Sequence, residues 1–262
     1  MSHAAIPGNR LDAAVRAAHR IRFAGRAIHP YLVMADIAIV AELTLAFAWS
    51  RFARGFVFWR FAIAFVAMQA VYHGVYLPLK LRLTGERARS FLQDTVLVIL
   101  PTYVGVSWLL GLPLAAVLDL AGLALPLGLG LMRIGCFFGG CCYGRPSHRG
   151  VFYDREVLRA VNGWRRFTPG PYPGERVVPV QLLAAAANLT AFAALATRAM
   201  IIGRTDGRGL PFFLVAYSTF RLASDPLRGH RHRPMRGPFS EAQWTSLAVI
   251  VVLVAALVVS GR

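Results

Sequence analysis

The chain has 262 residues, 56% of them hydrophobic and only 16% charged, with a mean hydropathy of +0.53. A soluble domain carries about a quarter charged residues, so this composition excludes a water-soluble globule and indicates an integral membrane protein. The formal charge of +17 does not point to nucleic acid, because the basic residues lie mainly in short connections between apolar runs, where anionic headgroups and topology signals account for them.

In chain order, residues 1–28 form a basic tail with Arg10, Arg16, Arg20, Arg22 and Arg26. It has no apolar core of the signal-peptide type, so targeting is expected to rest on the first span. The tail reads either as an amphipathic helix on the membrane surface or as a solvated segment. Seven candidate spans follow, at roughly 31–49, 57–79, 94–111, 113–132, 178–202, 209–224 and 243–260. Across 95–132 the only charge is Asp119. One crossing takes about 20 residues, so this run crosses twice, with its reversal at Gly111-Leu112-Pro113. The sizeable stretch outside the spans, 136–177, is rich in glycine, proline and charge and predicts an irregular cap on one membrane face. The expected fold is all-α: one polytopic membrane domain, 1–262, of about seven transmembrane helices with the cap between the fourth and fifth. Seven spans put the tail, 80–90, 133–178 and 225–242 on one side. These hold 21 Lys and Arg residues against 7 on the other, and the positive-inside rule would place the cap in the cytoplasm.

The densest feature is Arg133-Ile134-Gly135-Cys136-Phe137-Phe138-Gly139-Gly140-Cys141-Cys142-Tyr143-Gly144-Arg145. Its glycines predict tight turns with close backbone approach. Arg133 and Arg145 bracket it, which suits either a phosphate cradle or a loop anchored among headgroups. Late in the sixth span Arg221, Asp225 and Arg228 share one helical face. An arginine inside a span costs roughly 2.5–3.5 kcal/mol and so faces a partner or a cavity; here Arg221 and Asp225 either pair to orient the helix or line a site. The cysteines Cys136, Cys141 and Cys142 have no partner elsewhere in the sequence, which excludes a disulfide framework. They admit packing as small apolar residues or thiol chemistry beside arginines. Metal binding is the third option, but the set lacks a Cys-x-x-Cys spacing and an obvious fourth ligand; no metal and no cofactor are assigned.

This order of features resembles the prolipoprotein diacylglyceryl transferase family, seven-span enzymes of the bacterial inner membrane. The family's Arg-Ile-Gly turn and later aromatic-Gly-Arg are similar to Arg133-Ile134-Gly135 and Tyr143-Gly144-Arg145, preceded by Leu114-Ala115-Ala116-Val117-Leu118-Asp119-Leu120. Its Pro-x-Gln-Leu is matched by Pro179-Val180-Gln181-Leu182, and its late Phe-Arg-x-x-x-Glu-x-x-Arg by Phe220-Arg221, Asp225 and Arg228, with aspartate replacing glutamate. The likeness runs over about 113–228, with Tyr31 as a counterpart of the family's early tyrosine. Cys136 and Cys141 stand where the family has asparagine and glutamate. Its His-Gly-Gly is not evident: Phe91-Leu92-Gln93-Asp94-Thr95 occupies that place, and His73-Gly74 lies in the second span.

The resemblance implies transfer of a diacylglyceryl group from phosphatidylglycerol, or a related anionic phospholipid, to the cysteine thiol of a lipoprotein precursor. The implied catalytic set is Arg133, Arg221, Asp225, Cys136 and Cys141. Arg133, Gly135, Gly144, Arg145, Gln181, Arg221 and Arg228 are implied to meet the headgroup, the two glycines by letting it approach the backbone. Asp94 and His73 are the candidate bases. The family also puts its cap outside the cytoplasm, against the basic-residue count. Two other classes stay open: a non-catalytic relative that binds phospholipid or a partner, and a membrane thiol-redox or transport protein.

Overall fold

The computed structural model describes residues 9–23, 26, 27, 29–84, 94–154, 174–229 and 235–260. Three regions read from the sequence lie outside the described residues: the start of the tail, residues 91–93 in the place of the family's His-Gly-Gly, and the middle of the cap at 155–173.

Among the described residues, four helices are long and apolar enough to cross a membrane: α2 (Pro30–Phe52), α3 (Phe58–Leu83), α5 (Leu114–Gly139) and α6 (Val180–Ile202). The other three expected spans coincide with shorter apolar helices. These are α4 (Val96–Leu109), α7 (Gly209–Ser224) and α8 (Glu241–Ser260), whose apolar part is Glu241–Ala256. By length and composition, four of the seven expected spans are long enough to cross a membrane. Large apolar side chains such as Leu83, Leu109 and Ile201 are more than 70% exposed, a distribution that suits lipid and not water.

Helix α5 is the axis of the bundle. Its apolar window is 56% buried, against 17%, 11% and 28% for α2, α3 and α6, because α2, α6 and α7 all pack on it. Glycine permits these approaches. A Cβ on Gly122 would stand 2.2 Å from the Gly209 carbonyl carbon, and one on Gly128 would stand 1.8 Å from Oε1 of Glu42. The turns at 53–57, 110–113 and 203–208 gather at the start of α5, where Gly55 meets Pro113 and Gly207 meets Ala115. The reversal expected at Gly111 occurs there, with Gly111 at φ +69°. Asp119 has a purpose in this end of the bundle: its buried carboxylate accepts the backbone N–H groups of Asp206 (2.8 Å), Gly207 (3.0 Å) and Gly209 (2.8 Å). It therefore satisfies orphan donors at the start of α7, while Asp206 also pairs with Arg198.

At the opposite end lie the start of α2, the end of α5 and the cap. Here the tail makes specific contacts with the cap. Helix α1 (Arg10–His19) is docked on the cap. Asn9 caps it and donates to the Gly150 carbonyl (2.7 Å), inside the strand β1 (Pro146–Val151). The buried Asp12 carboxylate accepts from the Phe152 N–H (2.8 Å) and from Arg176 (2.9 Å). Val15 completes an apolar cluster with Phe137, Tyr143, Val151, Tyr153 and Val177. One buried acid and one buried valine on the same face explain why the segment folds down despite its arginines.

Candidate active site

The site forms where three chain segments pair by backbone hydrogen bonds just beyond α5. Gly144 N–H donates to the Val178 carbonyl (2.9 Å), Val178 N–H donates to Arg145 (3.0 Å), and Arg145 N–H donates to Leu227 (2.9 Å). Gly144 and Arg228 form an antiparallel bridge. The glycine-rich turn, the entry to α6 and the exit of α7 are thereby locked together, and the three motifs separated in sequence become one structure.

This pairing brings Arg133, near the end of α5, together with Arg221 on α7 and Arg228 just beyond it. All three interact electrostatically with Tyr217, whose hydroxyl is hydrogen-bonded to Arg133, and with each other. Arg221 is buried and pairs with fully buried Asp225 at 3.1 Å. Asp225 is in turn held by the Ser240 hydroxyl (2.8 Å), and Ser240 is held by Gln243. The Nη1 of Arg221 is buried and has no hydrogen-bond partner among the described residues. The site thus brings three guanidiniums together with one paired carboxylate, that of Asp225 on Arg221, leaving surplus positive charge. Burial, with repulsion from Arg133 and Arg221, lowers Arg228 to about 10, so it still carries its charge at neutral pH. An anion with several oxygens is the complement to this arrangement.

The remaining predicted residues divide. Helix α5 ends at Gly140, whose φ of +68° forms a left-handed cap; Cys142 follows at φ +56°. The chain thus folds back so that the sulfurs of Cys136, Cys141 and Cys142 all lie within 4.8 Å of one another. They are free thiols, with Cys136 and Cys141 buried against Tyr31. Hydrogen bonds from Cys136 and Cys141, reinforced by Arg133 and Arg228, hold the Cys142 thiol well below its ordinary range; Cys141 is pushed up. Arg145 is exposed.

Three expected headgroup contacts take other roles. A Cβ on Gly135 would meet Met34 Cβ at 2.9 Å, so that glycine admits α2 and not a lipid. A Cβ on Gly144 would meet the Leu227 carbonyl at 2.5 Å and that of Val178 at 2.8 Å; its closeness serves backbone pairing. Gln181 is fully buried and donates to the Cys141 carbonyl (2.8 Å) and to Tyr153 (3.3 Å), while Tyr153 donates to the Phe137 carbonyl (2.9 Å). It braces the turn from behind.

Of the two candidate bases, Asp94 is engaged by Lys80 (2.8 Å) and Tyr76 (2.7 Å), and His73 is exposed with its ring against Tyr72. Two residues escaped the sequence reading. Tyr217 lies four residues before Arg221, on the same helical face, so its place beside the arginines was readable. Glu42, a carboxylate near the middle of α2, packs into the notch at Gly128; ionisable residues inside spans are functional candidates in general.

A family model described as prolipoprotein diacylglyceryl transferase matches residues 21–259. The match includes all four long helices, the glycine-rich turn and every arginine of the site, and leaves α1 outside. No curated protein matches the chain.

Proposed function

The chain belongs to the prolipoprotein diacylglyceryl transferase family, and on that premise we propose that it moves a diacylglyceryl group from phosphatidylglycerol, or a related anionic phospholipid, to the cysteine thiol of a lipoprotein precursor. The proposal includes a bacterial inner-membrane location and a seven-span arrangement in which α4, α7 and α8 join the four long helices. The observation that carries it is the convergence of Arg133, Arg221 and Arg228, with surplus positive charge beside Tyr217.

The reaction is a displacement. The acceptor thiolate attacks the glyceryl carbon that bears the phosphate ester, forming a C–S bond. The C–O bond to phosphate breaks, its electron pair stays on the phosphate oxygen, and glycerol phosphate leaves. Charge grows on that oxygen in the transition state, where prepositioned cations act without reorganising. Arg133 and Arg228 supply positive charge. Arg221 adds a donor through its unpartnered Nη1, and Asp225 positions it. Cys136 and Cys141 take the places of the family's asparagine and glutamate beside Tyr31, shaping the wall of the turn next to Arg133.

A second reading has an observation of its own. Asp94 is committed to Lys80 and Tyr76, and His73 is exposed, which favours a relative that binds anionic phospholipid without transferring its acyl-bearing part. One experiment separates the two. Purified protein in micelles is given phosphatidylglycerol and a cysteine-bearing lipoprotein-signal peptide, and mass spectrometry follows the peptide. A diacylglyceryl adduct that falls by about 10²–10³-fold in Arg133→Ala supports transfer. No adduct from the wild-type protein, with phospholipid still bound, establishes the binding reading. An adduct indifferent to Arg133→Ala refutes the assigned role.

A further inference from the structure

Cys136 and Cys141 shape the wall of the site and Cys142 has no role in the transfer, yet the three gather as a set at the end of α5. We infer that Cys136, Cys141 and Cys142 form a thiolate site for a soft monovalent metal ion, copper(I) in class. This inference does not rest on the transferase reading, although the ion would draw on Arg133 and Arg228, which that reading assigns to the phosphate.

The spacing in sequence argued against a zinc knuckle, but the fold assembles the donors differently. Cys136 sits in the last turn of α5, and the left-handed Gly140 and Cys142 carry the chain back over it. The Cys141 N–H closes the turn on the Cys136 carbonyl at 3.1 Å. All three sulfurs then lie within 4.8 Å of one another. A metal–sulfur bond of about 2.3 Å separates the ligands around one ion by roughly 4 Å, so the trio spans an ion without moving the backbone. A non-glycine residue at φ +56° is uncommon, and at Cys142 it turns the third sulfur toward the other two.

The donor set selects the ion. No histidine or carboxylate belongs to the group. The thioether-bearing Met132, one helical turn before Cys136, packs on the same cluster. Thiolates with a thioether favour copper(I), whereas structural zinc takes four thiolate or imidazole ligands. Three thiolates around a monovalent ion carry two net negative charges. Arg133 and Arg228 lie within electrostatic reach of Cys142 and would balance them. Cys136 and Cys141 are buried while Cys142 is half-buried, which leaves access from one side. The thiol protons leave to solvent as the ion binds.

The test uses the full chain in micelles, with any affinity tag removed, reduced without oxygen and titrated with copper(I) against bathocuproine disulfonate. The expected result is about one copper retained per chain, with an X-ray absorption first shell of sulfur alone. In Cys142→Ser, at a half-buried turn position, retained copper falls roughly tenfold or more while the melting temperature of the metal-free protein is unchanged. The absorption measurement on wild-type protein decides the matter if the variant does not fold. No retained copper, nitrogen or oxygen in the first shell, zinc held in preference to copper, or a Cys142→Ser protein that binds as well as wild type would each overturn the inference.

Discussion

Removing the Asp225 carboxylate is the sharpest perturbation of the arginine cluster. Asp225 is fully buried, 3.1 Å from Arg221 and 2.8 Å from the Ser240 hydroxyl. At 3.1 Å and an effective dielectric of about 20, the attraction between the two charges is about 5 kcal/mol. Desolvation has already been met in the folded protein, so Asp225→Ala should cost about 3–5 kcal/mol by leaving a buried guanidinium uncompensated. Asp225→Asn keeps an acceptor for Ser240 and should cost less; Asp225→Glu, the family's own residue, should recover most of the loss. Denaturation in micelles measures this. The variant also gains surplus positive charge, so added phosphatidylglycerol should stabilise Asp225→Ala more than wild type; at a hundredfold excess over its Kd the lipid stabilises the variant by about 2.7 kcal/mol relative to the lipid-free variant. Transfer should nonetheless fall, because Arg221 loses the partner that aims it. The reasoning is refuted if Asp225→Ala is as stable as wild type, or if phosphatidylcholine protects it as well as phosphatidylglycerol.

Other expectations follow from the same geometry. Asp119→Ala orphans the N–H groups of Asp206, Gly207 and Gly209 at about 1–3 kcal/mol each, so the melting temperature should drop sharply, whereas Asp119→Asn should drop it less. Gly122→Ala puts a methyl 2.2 Å from the Gly209 carbonyl carbon and should exceed the usual 1–3 kcal/mol of overpacking, read as loss of folded protein in detergent. The Asp12 carboxyl is disfavoured by burial, yet the N–H groups of Phe152 and Asn9 and the Arg176 guanidinium outweigh this and hold it below its usual 3.8. A depressed folded-state value means that its contribution is fully present above pH 3.8 and disappears as pH falls through the lower value. Hydrogen-exchange protection of α1, measured relative to the intrinsic rate at each pH, should therefore be high near neutral pH and fall only in strong acid, while Asp12→Asn should show low protection across the range.

Apolar runs located the helices well because hydrocarbon demands them regardless of tertiary detail: 178–202 and 209–224 coincide with α6 and α7 almost residue for residue. The three motifs were legible too, since the glycine-rich turn, the entry to α6 and the exit of α7 pair by backbone hydrogen bonds. Their division of labour was not. Gly135 and Gln181 serve packing and bracing, and that depends on which residue of another helix lies opposite, which no local pattern encodes. The same holds for Asp119, whose three donors lie about 90 residues away, and for Asp12, which reaches Arg176 across 164 residues. The tail's five arginines dominated its sequence reading, yet one buried acid and Val15 decide where α1 sits. The cysteines were visible as a cluster in sequence, but the closeness of their sulfurs depends on left-handed backbone at Gly140 and Cys142.

The central claim is that Arg133, Arg221 and Arg228 together hold a phosphoryl group. A structure determined by electron cryo-microscopy in nanodiscs of phosphatidylglycerol tests it most directly. The account predicts phosphate density between the three guanidiniums, within hydrogen-bonding distance of Arg221 Nη1, and its loss in Arg133→Ala. Lipid phosphate elsewhere in the bundle, with the arginines satisfied only by Tyr217 and Asp225, would contradict it.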